Sequence, residues 1–188
     1  MDLSEEKELV RQAQKDSDAF AELYDLYYPK IFGYVLRRSA NLEAAQDITS
    51  ETFLKALRKL WQFQWRNISF SSWLYKIATN EVSQYFRRAQ YKKSISLEEL
   101  QEQGFELLSP HDPENELIEA QEKLEQHQDF LEIRGKIVRL PARYQEVIAL
   151  RFFERKQIKE IAQILGKREG TIKSLLHRAV EKLRETEE

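Results

Sequence analysis

Between Gly166 and Arg184 the chain carries Arg168, Thr171, Lys173, Ser174, His177 and Arg178 within eleven positions. Arg and Lys attract phosphate, and Arg pairs bidentately with guanine; Ser and Thr hydroxyls bond to either base edges or phosphates. The chemistry on offer is recognition of a polyanion. His111, His127 and His177 are scattered without metal-ligand spacing. No glycine-rich phosphate loop is present, and no Ser-His-Asp arrangement can be read from the order of residues. With no cysteine there is neither a disulfide framework nor a thiolate metal site. The expectation is therefore a binding protein with no metal, no cofactor and no catalytic residues of its own.

The elements that must hold these groups are helices. Ile158, Ile161, Ala162 and Leu165 form one apolar stripe, and Gly166 ends it because glycine enters the left-handed conformation cheaply. From about Glu169 to Arg184, Ile172, Leu176, Ala179 and Leu183 fall on one face of a 3.6-residue wheel. Lys173, Ser174, His177 and Glu181 fall opposite, with Thr171 and Arg178 beside them. This is the pattern of a helix-turn-helix whose second helix enters the major groove. Leu140–Phe153 provides a supporting helix with Pro141 at its start.

A second polar stripe lies upstream. On a helix from Ser71 or Ser72 to about Arg88, Leu74, Ile77, Ala78 and Tyr85 form the core side. Lys76, Asn80, Ser83 and Arg87 line the other, with Gln84 beside them and Arg88, Lys92 and Lys93 beyond. The aromatic loop Trp61, Phe63, Trp65 and Phe70 precedes it, with Phe70 and Trp73 read as core. An earlier helix spans Leu42 to about Leu60, capped by Asn41. Asp47, Glu51, Leu54 and Arg58 make one stripe on it, with Lys55 adjacent, whereas Phe53, Leu57 and Leu60 are expected inside. Before that, residues 17–38 read as a helix capped by Ser17 or Asp18 and kinked or interrupted at Pro29.

Charge divides the chain further. The net charge is only −2, yet residues 61–93 hold six basic and one acidic side chain. Residues 94–135 hold two basic and twelve acidic, and 136–188 hold thirteen basic and eight acidic. Two basic blocks separated by an acidic one indicate two polyanion-binding surfaces joined by an acidic connector. The two prolines of "SPHDPEN" break helical periodicity inside that connector. The fold expected is all-α: two small helical domains, 1–93 and 133–188, joined by an acidic linker, 94–132. The first residues are acidic and lack a secretory h-region, and no apolar run could span a bilayer, so the cytoplasm is the expected compartment.

These residues resemble a known family. "LPARYQEVIALRFFERKQIKEIAQILGKREGTIKSLLHRAVEKLR" is similar to the promoter-recognition domain of extracytoplasmic-function (ECF) sigma factors. "DAFAELYDLYYPKIFGYVLRR", "AAQDITSETFLKAL" and "FSSWLYKIATNEVSQYFRR" resemble that family's N-terminal domain, in the same order. The resemblance implies a protein that joins core RNA polymerase, directs it to promoter DNA and helps open the duplex. It implies −35 contacts from Arg168, Glu169, Thr171, Lys173, Ser174, His177 and Arg178. It implies −10 contacts from Trp65, Lys76, Asn80, Ser83, Gln84, Arg87 and Arg88, with residues 62–69 supplying a pocket for a flipped base. Asp47, Glu51, Leu54, Lys55 and Arg58 would bind the polymerase, and the acidic connector would thread its basic channel. An anti-sigma partner is also implied. The chain departs from the family's usual pattern at Ser50, Gln84, Lys167, Arg168 and Leu175, which bears on the detail of the clamp and promoter contacts. The alternative, a two-domain helix-turn-helix regulator, would need a sensing half of alternating strands and helices. Residues 1–90 give no strand signal. An RNA-binding module would need aromatic platforms or a double-stranded-RNA surface that the C-terminal half does not present.

Overall fold

The computed structural model describes residues 3–39, 41–65, 68–95, 136–137 and 139–185. Among these there is no strand. The elements are α1 (Leu3–Ala13), α2 (Ser17–Ser39), α3 (Leu42–Lys59), a 3-10 turn (Leu60–Gln62) and α4 (Phe70–Ile95). Then come α5 (Ala142–Ile148), a π-helical turn (Ala149–Phe153), α6 (Ile158–Leu165) and α7 (Glu169–Glu185). The acidic connector expected at 94–132 falls almost wholly outside the described residues, as does the start of the second domain at 133.

α2 is the axis of the first half, packed against α1, α3 and α4. Leu23, Ile31, Tyr34 and Val35 are buried along it and meet Phe70, Leu74, Ala78 and Val82. Each fully buried Leu, Ile or Val side chain contributes about 1.5–3 kcal/mol relative to exposure. The Tyr34 hydroxyl and Thr79 Oγ1 lie 2.8 Å apart, so this buried crossing of α2 and α4 keeps its polar atoms partnered.

The sequence expectations need three corrections here. α2 is not interrupted at Pro29, which lies inside the continuous helix. Proline removes one backbone donor, but the buried face on either side holds Leu23, Tyr27, Ile31 and Tyr34, and that packing carries the helix across it. The cap of α2 is neither Ser17 nor Asp18: the Asp16 carboxylate accepts the Asp18 backbone N–H at 3.0 Å. α1 was not expected at all. It buries Val10 and Ala13, and the Tyr27 hydroxyl donates to Glu6 on it. Asn41 caps α3 as expected, its Oδ1 accepting the Ala44 N–H at 2.7 Å.

The two halves are packed together. α4 lies against α6, and α2 against the π-helical turn. Polar contacts line this seam. Arg37 and the Tyr75 hydroxyl both donate to Glu154, and Lys156 Nζ donates to Ser71 Oγ at 2.7 Å. Burial pushes the Lys156 ammonium below its ordinary pKa, against the pull of Glu160 and Glu154.

Candidate nucleic-acid interface

α6 begins where Glu160 turns its carboxylate back onto the Gln157 N–H at 2.8 Å. It buries Ile161, Ala162 and Ile164 and ends at Gly166, which sits at φ 62° and ψ 36° with its N–H on the Ala162 carbonyl. A side chain there would be strained in the left-handed region, so Gly166 sets the angle at which α7 departs. α7 then buries Ile172 and Ala179 completely, while Leu176 and Leu183 are half-buried against the core. With that face fixed, Arg168, Glu169, Thr171, Lys173, Ser174, His177 and Arg178 all stand exposed on the outer side and the leading turn. His177 Nε2 lies 3.2 Å from Glu181, one turn on. The arrangement offers hydroxyls and cations in one patch that a major groove can accept.

On α4 the polar stripe is also outward. Lys76, Asn80, Arg87 and Arg88 are exposed; Ser83 and Gln84 are half-buried. Ser83 is already engaged, its hydroxyl 3.4 Å from Glu146 across the seam, and Gln84 Nε2 is 3.5 Å from Glu81. Helix α4 starts at Phe70, one or two residues earlier than expected, because Ser69 caps it, its hydroxyl oxygen accepting the Ser72 N–H at 3.1 Å.

The loop before α4 is held by the unexpected α1 and the turn that follows it. The Gln14 amide donates to both the Leu60 and Phe63 carbonyls at 3.0 Å. Lys7 Nζ lies 5.6 Å from the Trp65 ring centre, and Phe63 meets Trp65 edge-on at 5.5 Å. Trp65 is half-buried, and its indole N–H is buried without a partner. Phe70 is fully buried as expected, whereas Trp73 is half-buried and packs against Phe63 at 5.0 Å from the edge of the core. Sequence reasoning missed Gln14 and Lys7; the helical spacing of Leu9, Val10 and Ala13 was the available signal.

α3 presents Asp47, Leu54 and Arg58 to solvent, with Glu51 half-exposed. Lys55 is drawn inward, 2.6 Å from Glu81 and 3.2 Å from Glu51, and the Glu81 hydrogen bond foremost holds its pKa above the ordinary value. Leu57 does not pack inside as expected: it is 46% exposed. With Leu54 and Trp61, itself 71% exposed, it forms an apolar strip at the C-terminal end of α3 and the turn beyond. Phe53, Ala56 and Leu60 already fill the inner face, which leaves Leu57 outside. Among the described residues no cluster could hold a metal ion, and no helix is long and apolar enough to cross a membrane.

Comparison with known proteins places these surfaces in a family. Residues 23–91 match the model of Sigma-70 region 2, and residues 130–183 that of Sigma-70 region 4. The ECF RNA polymerase sigma factor SigW of Bacillus subtilis is 34% identical over 180 residues, covering 95% of this chain and 94% of SigW. The ECF RNA polymerase sigma factor BldN of Streptomyces coelicolor is 34% identical over 177 residues, 94% of this chain but only 63% of BldN. In fold the chain is similar to the sigma factor RpoE of Bartonella quintana, solved with the anti-sigma factor NepR. The TM-score is 0.65 at 23% identity, covering 88% of this chain and 94% of that one. CnrH, solved with the cytosolic domain of CnrY, gives a TM-score of 0.66 at 20% identity and covers 96% of both chains. No comparison supports a helix-turn-helix regulator of another kind. Two matched regions in order, with SigW 34% identical over nearly the whole of both chains, establish that the chain belongs to the ECF family of RNA polymerase sigma factors.

Proposed function

We propose that the exposed face of α7 reads the −35 element, that α4 and the loop before it take the −10 element, and that α3 docks on core RNA polymerase. The observation that carries this reading is the outward placement of all seven α7-side residues opposite a fully buried Ile172 and Ala179. Lys173 and Arg178 anchor phosphates, while Arg168, Thr171 and Ser174 in the first turn reach base edges. Lys76, Asn80, Arg87 and Arg88 follow the backbone beside the −10 element. The segment 62–69, steadied by Gln14 and Lys7, receives an unstacked base. The strip of Leu54, Leu57 and Trp61, flanked by Asp47, Glu51 and Arg58, fits a partner surface that is apolar with a charged rim. Lys55 serves the fold, tying α3 to Glu81 on α4.

The domain boundaries belong to the same reading: 1–93 for clamp and −10 binding, 133–188 for −35 binding, and the acidic stretch 94–132 threading a basic channel. The chain works in the cytoplasm and does no bond chemistry; the polymerase does. An anti-sigma protein holds it in reserve, a reading supported by the anti-sigma factor NepR bound to RpoE. Footprinting of the reconstituted holoenzyme tests the assignment. Lys173→Ala with Arg178→Ala should erase −35 protection while polymerase remains bound. Undiminished protection there would remove α7 from the contact.

A further inference from the structure

Beyond promoter and polymerase binding, the seam between the two halves contains a cavity of about 570 Å³, the size of a small-molecule site. Its walls are the end of α2, the outer part of α4 and the first turns of α5, with Arg38, Ser83, Phe86, Arg87, Ala142 and Glu146 among them. Arg38 is the unusual member. Its side chain is only 2% exposed. A guanidinium has five N–H donors and does not give up its proton in a protein, so a buried charge remains to be answered. The nearest carboxylate, Glu146 Oε1, stands 3.5 Å from Nη2, well beyond the roughly 2.7–2.9 Å of a charge-assisted hydrogen bond. Nε and Nη1 are buried with no hydrogen-bond partner. Buried polar groups left without partners are rare, so the protein's own groups answer the Arg38 charge only in part.

We propose that this cavity binds a small organic oxyanion, its phosphate or carboxylate head on Arg38 and Arg87 and its apolar body along Phe86. Charge favours an anion: two guanidinium groups face one carboxylate, and that carboxylate is shared between Arg38 and the Ser83 hydroxyl. Arg87 is exposed at the rim, where it can meet an incoming anion that Arg38 then holds. Because Ala142 and Glu146 come from the second half and the rest from the first, a bound anion ties the halves together. Ser83 and Arg87 also belong to the proposed −10 stripe, so occupancy lowers promoter affinity at constant ionic strength. The binding itself needs neither DNA nor polymerase and is independent of the promoter assignment.

Calorimetric titration of the full chain with inorganic phosphate, citrate and ATP, at matched ionic strength, tests this. The expected result is saturable binding with one site per chain, tighter for ATP than for phosphate because only ATP offers a planar body to Phe86. Arg87→Ala should weaken binding about tenfold, the loss of one charged contact. Ala142→Glu places a carboxylate at the mouth and in the first turn of α5, where the helix dipole favours it. It should abolish binding without lowering the melting temperature. Arg38→Lys, which keeps the charge but loses the planar fork, should weaken binding more than Arg87→Ala. No saturable binding of any probe up to about 10 mM, tenfold above a 1 mM Kd, overturns the proposal. Binding that Arg87→Ala and Ala142→Glu both leave unchanged overturns it equally. ATP and phosphate binding with equal affinity removes Phe86 from the site.

Discussion

The seam makes one residue in the second half report on the first. The Glu154 side chain is 7% exposed and accepts from both Arg37 and the Tyr75 hydroxyl, which lie on α2 and α4. Glu154→Gln preserves shape but removes the charge. A hydrogen bond to a charged group is worth about 1.5–3 kcal/mol. Arg37 is 33% exposed, so solvent screening moves the expected coupling to about 1–2 kcal/mol. All three tryptophans, Trp61, Trp65 and Trp73, are in the first half. Tryptophan fluorescence during urea unfolding therefore follows that half alone, and a change at residue 154 reaches it only across the seam. With a urea slope of about 2 kcal/mol/M, the midpoint should fall by roughly 0.5–1 M. A double-mutant cycle with Arg37→Met isolates the pair and should return the same 1–2 kcal/mol, about the range found for contacting residues. A coupling below about 0.3 kcal/mol, the level of independent sites, together with an unmoved midpoint, would refute the packed seam.

Other outcomes follow from the same geometry. Burial foremost, then the carboxylates of Glu6 and Glu154, raises the pKa of Tyr27 and Tyr75 above the ordinary value of 10.0. Below pH 10 both states keep the phenolic protons and stability is undiminished. Above it only the unfolded chain ionises, so stability should fall by about 1.4 kcal/mol per pH unit for each tyrosine. Tyr75→Phe should flatten that alkaline limb in urea titrations, and an unchanged slope would exclude Tyr75 as a cause. Lys173→Ala or Arg178→Ala should each reduce the salt slope of promoter binding by about 0.9, the release of one phosphate's counterions. A slope equal to that of the parent chain would remove that residue from the phosphate contacts. Leu54→Ser with Leu57→Ser should weaken capture of core polymerase at least tenfold while the melting temperature holds, since both are already exposed. Undiminished capture would dismiss the strip as the docking surface.

What sequence made legible was local. The Asn41 cap, the Gly166 stop and the Glu169 start of α7 each rest on one residue's own backbone or side-chain preference. The outward placement of Thr171, Lys173, Ser174, His177 and Arg178 followed from periodicity. Packing decided the rest. Leu57 has the hydrophobicity of a core residue, yet Phe53 and Ala56 had already claimed the inner face of α3. Pro29 is a helix breaker by local rule, and the buried residues around it overrule that rule. The π-helical turn of Ala149–Phe153 leaves no local signature in "ALRFF". The seam could not be read because its partners are remote: Arg37 and Glu154 are 117 positions apart, Arg38 and Glu146 are 108. The spacing of Leu9, Val10 and Ala13 could have shown α1, but not the partners of Gln14, whose two acceptors lie 46 and 49 positions away.

The central claim is that this chain confers promoter choice on a polymerase. In vitro transcription with purified core RNA polymerase over a promoter library measures it most directly. Adding the chain should yield transcripts from a small, shared-sequence subset of promoters, and Lys173→Ala with Arg178→Ala should erase that selectivity. Transcription no more selective than that of core enzyme alone would contradict the account.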